Sequence, residues 1–328
     1  MIDLHVTEAK PSDAEALVGI IHAAFGARPP LDPPGTALQE TAQSVAEAVG
    51  QHGGLLACVD EVPAGAMLFA ERDGWLVLRR VSVHPRFQHR GVATAMVGCA
   101  EDVAESRGLD GVRLIARAEL PSTVEFWMRR GYVEAGRRGT EVEVVKRLPI
   151  EIVSRSPDQT RDVGRRLAGM LRAGDVVLLA GELGAGKTTL TQGIAAGLEV
   201  EGEVTSPTFV IARCHRSKGT GPALLHADAY RLGGVAELDD LDLDASVDES
   251  VTVVEWGGGL AENLAEDRLD VVISRSVGAE EESGVRRIRI VPVGRRWIDT
   301  PLRALVAPDH DDHVQHASNE HSGTAANA

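Results

Sequence analysis

Aromatic residues are scarce, at 3% of 328 residues, so ring packing cannot fill the cores, which must be built mainly from Val, Leu, Ile and Ala. Only three cysteines occur, Cys58, Cys99 and Cys214. Their wide separation excludes both a disulfide framework and C-x-x-C zinc spacing, and they read as buried thiols. No stretch approaches the ~20 apolar residues of a membrane-spanning helix. The start, Met1-Ile-Asp-Leu-His, has no basic region followed by an apolar core, so no export signal is expected and the cytoplasm is the default location. Positive charge is also in short supply: 34 Lys and Arg face 49 Asp and Glu, a net charge of −15. That balance argues against broad binding to a nucleic-acid backbone, so any RNA contact needs a local basic patch or a partner.

What remains is ordinary for globular protein, with 43% hydrophobic and 25% charged residues, and the length suggests about two domains. The first half reads as a short strand at 1–6, a helix at 11–25 through Ala16, Ile20 and Ala24, a proline-rich loop at 29–35, a hairpin of 54–59 with 63–70, and a strand at 75–83. A helix at 91–107 carries Val92, Met96, Val97, Ala100 and Val103 on one face and ends at Gly108. A strand at 112–117 follows, Ser122 to Glu125 has the pattern of a helix start, and 141–146 closes the unit.

A new strand at 150–154 places a boundary near residue 149. Ser156-Pro157-Asp158-Gln159 combines a cap, a proline at the first helical position and a glutamine at the third, and the helix runs to Gly174. After Trp297 the pattern fades. The expected division is therefore 1–149, 150–297 and a polar, disordered tail over 298–328. His310, His313 and His316 in that tail have spacing a metal would accept, but the composition favours a solvated segment.

Gly181-Glu-Leu-Gly-Ala-Gly-Lys-Thr188 fits G-x-x-x-x-G-K-[ST] and sits between a buried strand, 176–180, and a helix with Leu190, Ile194 and Leu198 on one face. Glycines 181, 184 and 186 let the loop turn its N–H groups inward, and the helix start adds positive potential where phosphates would lie. Lys187 would reach the β and γ phosphates and Thr188 would offer its hydroxyl to Mg²⁺. Mg²⁺ also needs carboxylates. The segments 224–228 and 251–255 end in Asp228 and Glu255, which a parallel sheet would bring to the rim beside the loop. Thr205-Ser-Pro-Thr-Phe209 suits a segment that orders around nucleotide, or a plain turn. Trp256 could stack on adenine or pack in the core.

Residues 181–189, Ser206-Pro-Thr-Phe209, His226-Ala-Asp-Ala-Tyr-Arg-Leu232 and Val254-Glu-Trp256, in this order and spacing, resemble the bacterial TsaE family. The resemblance covers about 150–297 and implies the ATPase component of the machinery that makes N6-threonylcarbamoyladenosine at position 37 of tRNAs. It implies ATP held by Gly181, Glu182, Leu183, Gly184, Ala185, Gly186, Lys187, Thr188 and Thr189, with Thr160 and Trp256 at the base. Mg²⁺ would be held by Thr188, Glu255 and Asp228, with Lys187, Asp228 and Glu255 catalytic. The implied partners are the threonylcarbamoyl transferase subunit and its paralogous partner, with tRNA reached through them. A small-molecule kinase is the rival, although no arginine-rich lid is visible and Arg213 and Arg216 are the only arginines nearby. A nucleotide-dependent binding switch is the third reading.

In the first half, Val81-Ser-Val-His-Pro-Arg-Phe-Gln88-His-Arg-Gly91-Val-Ala93 is a strand, a turn and a helix start, with Arg86 and Arg90 supplying charge for a pyrophosphate. Together with Glu125-Phe-Trp-Met-Arg-Arg-Gly131-Tyr132, it resembles the GNAT acetyltransferase superfamily over about 1–148. That implies acetyl-CoA held by Val81, Val83, Gln88, His89, Arg90, Gly91, Val92 and Ala93, near a splayed pair of strands, and acetyl transfer to an amine. His84 would shape the strand end or serve as a base. One departure matters. The position where many members carry a proton-donating tyrosine holds Trp127, and an indole cannot serve; Glu119, Glu125 or Tyr132 would have to compensate, or the unit only docks a partner. The expected architecture is α/β throughout: a GNAT-like mixed-sheet domain followed by a P-loop NTPase domain.

Overall fold

The computed structural model describes residues 3–206, 212–228, 249–256, 265–275 and 284–306. Its first sheet holds β1 (Leu4–Glu8), β2 (Gly54–Val59), β3 (Val62–Arg72), β4 (Trp75–Val83), β5 (Gly111–Arg117), β6 (Val133–Arg138) and β7 (Glu141–Arg147). They are ordered β1-β2-β3-β4-β5-β7-β6, and β4 with β5 is the parallel pair. Alternation along β3 sends successive side chains to opposite faces. Ala66 and Leu68 pack with Leu17, Ile20 and Ile21 of α1 (Ala14–Gly26) and with Val45 and Val49 of α2 (Ala42–His52). Met67 and Phe69 pack on the other side with Met96, Val97 and Ala100 of α3 (Val92–Ser106) and Trp127 of α4 (Pro121–Met128).

Helix α2 and strand β6 have no counterpart in the sequence reading. The Thr41 hydroxyl accepts from the Ser44 N–H, and the Ser44 hydroxyl accepts from the Thr41 N–H, a reciprocal cap that starts α2. Helix α4 starts earlier than the Ser122 signal suggests. Pro121 takes its first position, where a missing N–H costs nothing, and the residue before it, Leu120, offers no side-chain cap.

The second sheet holds β8 (Ile150–Ser154), β9 (Val176–Ala180), β10 (Ala212–His215), β11 (Ala223–Asp228), β12 (Ser250–Glu255), β13 (Arg268–Arg275) and β14 (Arg286–Val293), ordered β10-β11-β12-β9-β13-β14-β8. The central four are parallel, and antiparallel strands flank them. Val176, Val177, Leu178 and Leu179 are all buried, as a strand covered on both faces requires. The Ser156 hydroxyl caps α5 (Pro157–Ala168) by accepting from the Gln159 N–H at 3.2 Å. The sequence pattern carries α5 to Gly174; it stops at Ala168, where tighter turns at Met170 and Leu171 take over.

Helix α5 packs against α6 (Lys187–Gly197) through glycines. A Cβ on Gly193 would overlap the Arg161 carbonyl and lie 2.8 Å from its carbon. Backbone cannot give way as a side chain can, so Gly193→Ala should force the helices apart at a cost of ~1–3 kcal/mol. Urea denaturation checks this: the midpoint should fall with the slope unchanged, and an unaltered midpoint would refute it.

The polar tail of the sequence reading does not begin at 298. Trp297, Leu302 and Leu305 are buried in the core of the second sheet, and the Arg303 guanidinium donates to the Leu109 carbonyl at 3.0 and 2.5 Å. From the first half, Arg147 donates to the Ile298 carbonyl at 2.9 Å. Apolar anchors spaced too irregularly to show a period hold this segment. The rest of that tail, with its histidines, lies outside the described residues.

Candidate functional site

The register of the second sheet assembles the site. Asp228 is level with Glu255 and Glu255 with Leu179, so both acids stand at the carboxyl edge next to the strand that enters the phosphate loop. Both are buried. The Thr188 hydroxyl, in the first turn of α6, donates to Glu255 at 2.9 Å (Oε1) and 3.3 Å (Oε2). His226 Nε2 lies 3.0 Å from Glu255 Oε1, a contact to which the sequence reading gave no role.

Lys187 folds back on its own loop, donating to the Gly181 carbonyl at 2.8 Å and the Glu182 carbonyl at 3.0 Å. Its ammonium sits 3.7 Å from the centre of the Trp256 ring. Burial lowers the Lys187 pKa, while the charges of Glu255 and Asp228 act to raise it. Trp256 holds a left-handed φ of 63°, and its backbone N–H donates to the Leu179 carbonyl at 2.8 Å. The indole therefore faces the lysine at the mouth of the loop.

Two arginines distant in sequence hold the outside of the loop. Arg275 donates to the Leu183 carbonyl at 2.8 Å and Arg286 to the Ala185 carbonyl at 3.0 Å; they are level on β13 and β14. With Lys187, they engage the carbonyls of Gly181, Glu182, Leu183 and Ala185, which favours an arrangement with the amides turned inward. Gly184 has φ of 71°, a conformation that favours glycine, and a Cβ there would displace the Arg275 guanidinium. Of the arginines noted from sequence, Arg213 lies on the edge strand β10, level with His226.

Thr160 sits beneath the loop. It is 2% exposed, with its hydroxyl 2.8 Å from that of Ser154 and 3.3 Å from the Ser156 carbonyl. Its hydroxyl is engaged inside the fold, and its methyl lies 4.0 Å from where a Cβ on Gly186 would stand. Residues 207–209 of the Ser206 motif, and Tyr230, Arg231 and Leu232, lie outside the described residues.

In the first half, β4 and β5 are level only from Trp75/Gly111 to Val77/Arg113, and then part. Val81 and Val83 lie on the diverging part of β4, half-buried. A turn at Pro85–Phe87 leads through Gln88, His89 (φ 62°) and Arg90 to Gly91 (φ 83°), the residue before α3. A Cβ on Gly91 would meet nothing within 4 Å, leaving open space at the helix start, where Val92 is buried and Ala93 half-buried. His84 Nδ1 accepts from the Arg86 N–H at 3.3 Å, so it shapes the turn.

Of the residues that could replace the tyrosine, Tyr132 and Glu119 are otherwise engaged and Glu125 lies on the surface. Trp127 is 2% exposed and packs edge-on to Tyr132 at 4.9 Å. Burial, reinforced by Glu101, pushes the Tyr132 phenol far up, so it holds its proton. Glu119 is gripped by Arg117 at 2.8 Å through both oxygens. Glu125 is exposed beside Arg129 at 3.5 Å. The thiols also differ from the sequence reading: Cys58 and Cys99 are partly buried and Cys214 is exposed.

These features define two α/β units, an acetyltransferase-type mixed sheet and a P-loop sheet. The family model described as "Threonylcarbamoyl adenosine biosynthesis protein TsaE" matches residues 154–284, and "Acetyltransferase (GNAT) family" matches 23–132. A tRNA threonylcarbamoyladenosine biosynthesis protein TsaE of Streptomyces coelicolor is 58% identical over 146 residues, which is 44% of this chain and 98% of that one. The protein of the same description from Bacillus subtilis is 39% identical over 143 residues, 43% of this chain and 85% of its own. A Thermoplasma acidophilum N-acetyltransferase, solved in complex with coenzyme A, is 13% identical with a TM-score of 0.40, covering 44% of this chain and 99% of its own. The chain belongs to the TsaE family of tRNA threonylcarbamoyladenosine biosynthesis proteins, with a GNAT acetyltransferase-family domain ahead of the TsaE part. Among the described residues no helix is long and apolar enough to cross a membrane.

Proposed function

We propose that the TsaE part hydrolyses ATP with Mg²⁺ in tRNA N6-threonylcarbamoyladenosine synthesis, and that the GNAT part binds acetyl-CoA. The contact of Thr188 with Glu255 at the mouth of the phosphate loop carries the first reading. A hydroxyl and two carboxylates are hard oxygen donors, and they fit Mg²⁺. Bound there, the ion would neutralise charge on the phosphate oxygens. Lys187 would leave the carbonyls of Gly181 and Glu182 for the β and γ phosphates, and Trp256 would exchange an ammonium for the adenine face. Glu255 would hold Thr188 in place, and Asp228, one strand over, is the carboxylate proposed to orient water or take its proton. The working setting is cytoplasmic, with the threonylcarbamoyl transferase subunit and its paralogous partner gripping tRNA, as the net charge of −15 on this chain favours.

The test is ATP turnover by the full chain with and without those partner subunits. Release of free phosphate supports the reading, and phosphate transferred to an added metabolite would replace it with a kinase. Tight binding without turnover, even with the partners, would make the chain a binding switch. The folded-back Lys187 is the observation behind the switch reading, because something must first draw it off the loop.

For the GNAT part, the parted strands and open Gly91 fit a pyrophosphate-bearing cofactor. Transfer to an amine would need the leaving thiolate to take its proton from solvent, since Trp127 cannot give one and Tyr132 holds its own. Calorimetric titration with acetyl-CoA should give saturable binding; no heat would reduce this part to a docking module. The proposed division is 1–149 and 150–306, followed by the tail.

A further inference from the structure

We infer that His226 is a positioning residue for the proposed ATP hydrolysis, holding the Glu255 carboxylate in the orientation that receives Thr188. The inference rests on the ATPase reading for its kinetic part alone. His226 lies in β11 with 0% exposure. It stands two residues before Asp228, which is level with Glu255, so His226 and Glu255 share a sheet face and meet diagonally, at 3.0 Å.

An ionised carboxylate only accepts hydrogen bonds, so both neighbours of Glu255 must donate. Thr188 does so through its hydroxyl at 2.9 Å, and His226 through Nε2–H. That donation fixes the imidazole in the Nε2–H form and leaves Nδ1 bare. Nδ1 is indeed buried with no hydrogen-bond partner among the described residues. An orphaned acceptor is better tolerated in an interior than an orphaned N–H, so the environment of both nitrogens selects the same tautomer. For packing alone an apolar side chain would do better, because a buried imidazole with one nitrogen unpaired loses hydration without full return.

The terminal torsion of a glutamate is broad and does not fix its oxygens. Two donors converge on Oε1 of Glu255, whereas among the described residues Oε2 has only the longer 3.3 Å contact with Thr188. His226 thus anchors one oxygen from behind and leaves lone pairs on the other available at the mouth of the loop. A partner of this kind, one step removed from a metal ligand, is typically worth about 10–100-fold in affinity or activity.

The test compares His226→Leu, which has no donor, with His226→Gln, whose amide nitrogen can reach about where Nε2 lies. With ATP, Mg²⁺ and the partner subunits, the leucine variant should lose about 10–100-fold in kcat with KM changed by less than about twofold, and glutamine should restore most of the loss. A leucine variant as fast as wild type, or a folded glutamine variant as slow as leucine, would overturn the proposal. The second readout needs no turnover. Nitrogen-15 NMR of the nucleotide-free full chain should show His226 protonated at Nε2, with that preference lost in Glu255→Ala. Protonation at Nδ1 instead would overturn the proposal. If wild type releases no phosphate under any condition, the ATPase reading falls, and the tautomer alone decides whether His226 anchors Glu255.

Discussion

Lys187→Ala should abolish productive ATP turnover and leave the fold standing. The ammonium is the one cation among the described residues placed to swing from the loop carbonyls of Gly181 and Glu182 onto a phosphate chain that starts at the same loop. Losing one preorganised donor of this kind costs about 10²–10³ in kcat, and the loss of a full charge against phosphate adds to it. Stability should hardly change. Burial already disfavours the charged amine, and the carbonyls it releases lie on a loop at the edge of the sheet. The melting temperature of the variant should therefore stay close to that of wild type while phosphate release falls below detection. In cells carrying only this variant, the tRNA modification should drop, and normal modification there would refute the assignment.

That prediction was available from the sequence because the residues that form the phosphate loop are consecutive. Five apolar residues enter it, three glycines turn it, and a lysine and a threonine open the helix. The start of α5 was legible for the same reason, since its cap, proline and glutamine lie within four positions. Helix α2 escaped because Val45 and Val49 are its only fully buried residues, too few to set a period, although Thr41 and Ser44 did signal its cap. Strand β6 is an edge strand with Glu134, Arg137 and Arg138 among its six residues, and no apolar alternation marks it. Within the site, the acids at the ends of β11 and β12 followed from strand logic. Arg275 and Arg286 did not, because they reach the loop from 92 and 101 residues away. His226 was in view as part of a motif, yet only the register of two strands shows which oxygen it holds. Thr160 was placed at the base by resemblance alone, and the bonds of its hydroxyl to Ser154 and Ser156 join residues that no local pattern links.

The largest stability effect should come from Asp175→Asn, at a pair of residues 121 positions apart. Asp175 stands just before β9 and takes a two-pronged grip from Arg296, Nε to Oδ1 and Nη2 to Oδ2, each at 2.9 Å. The side chains are 5% and 12% exposed. Arg296 also donates to the Met170 carbonyl at 2.8 Å and to the Thr300 hydroxyl at 2.9 Å, and lies over the Trp297 ring at 4.6 Å. An asparagine would turn an NH₂ toward a guanidinium that can only donate, and would leave a buried cation without its counter-charge. Breaking such a pair from one side costs about 3–5 kcal/mol, a large share of the ~5–15 kcal/mol that holds a domain together. Arg172, 4.0 Å from the Asp175 carboxylate and 70% exposed, is a second cation and supplies no counter-charge. Urea denaturation should show the loss directly, and a cost below about 1 kcal/mol would mean that the grip adds no more than a surface pair. Replacing both partners, as in Asp175→Leu with Arg296→Met, should recover part of the loss, since neither charge is then stranded. The same grip ties the segment around Trp297 to the residue just before the strand that feeds the phosphate loop. Nucleotide affinity should therefore weaken with stability in the single variant and return with it in the double one.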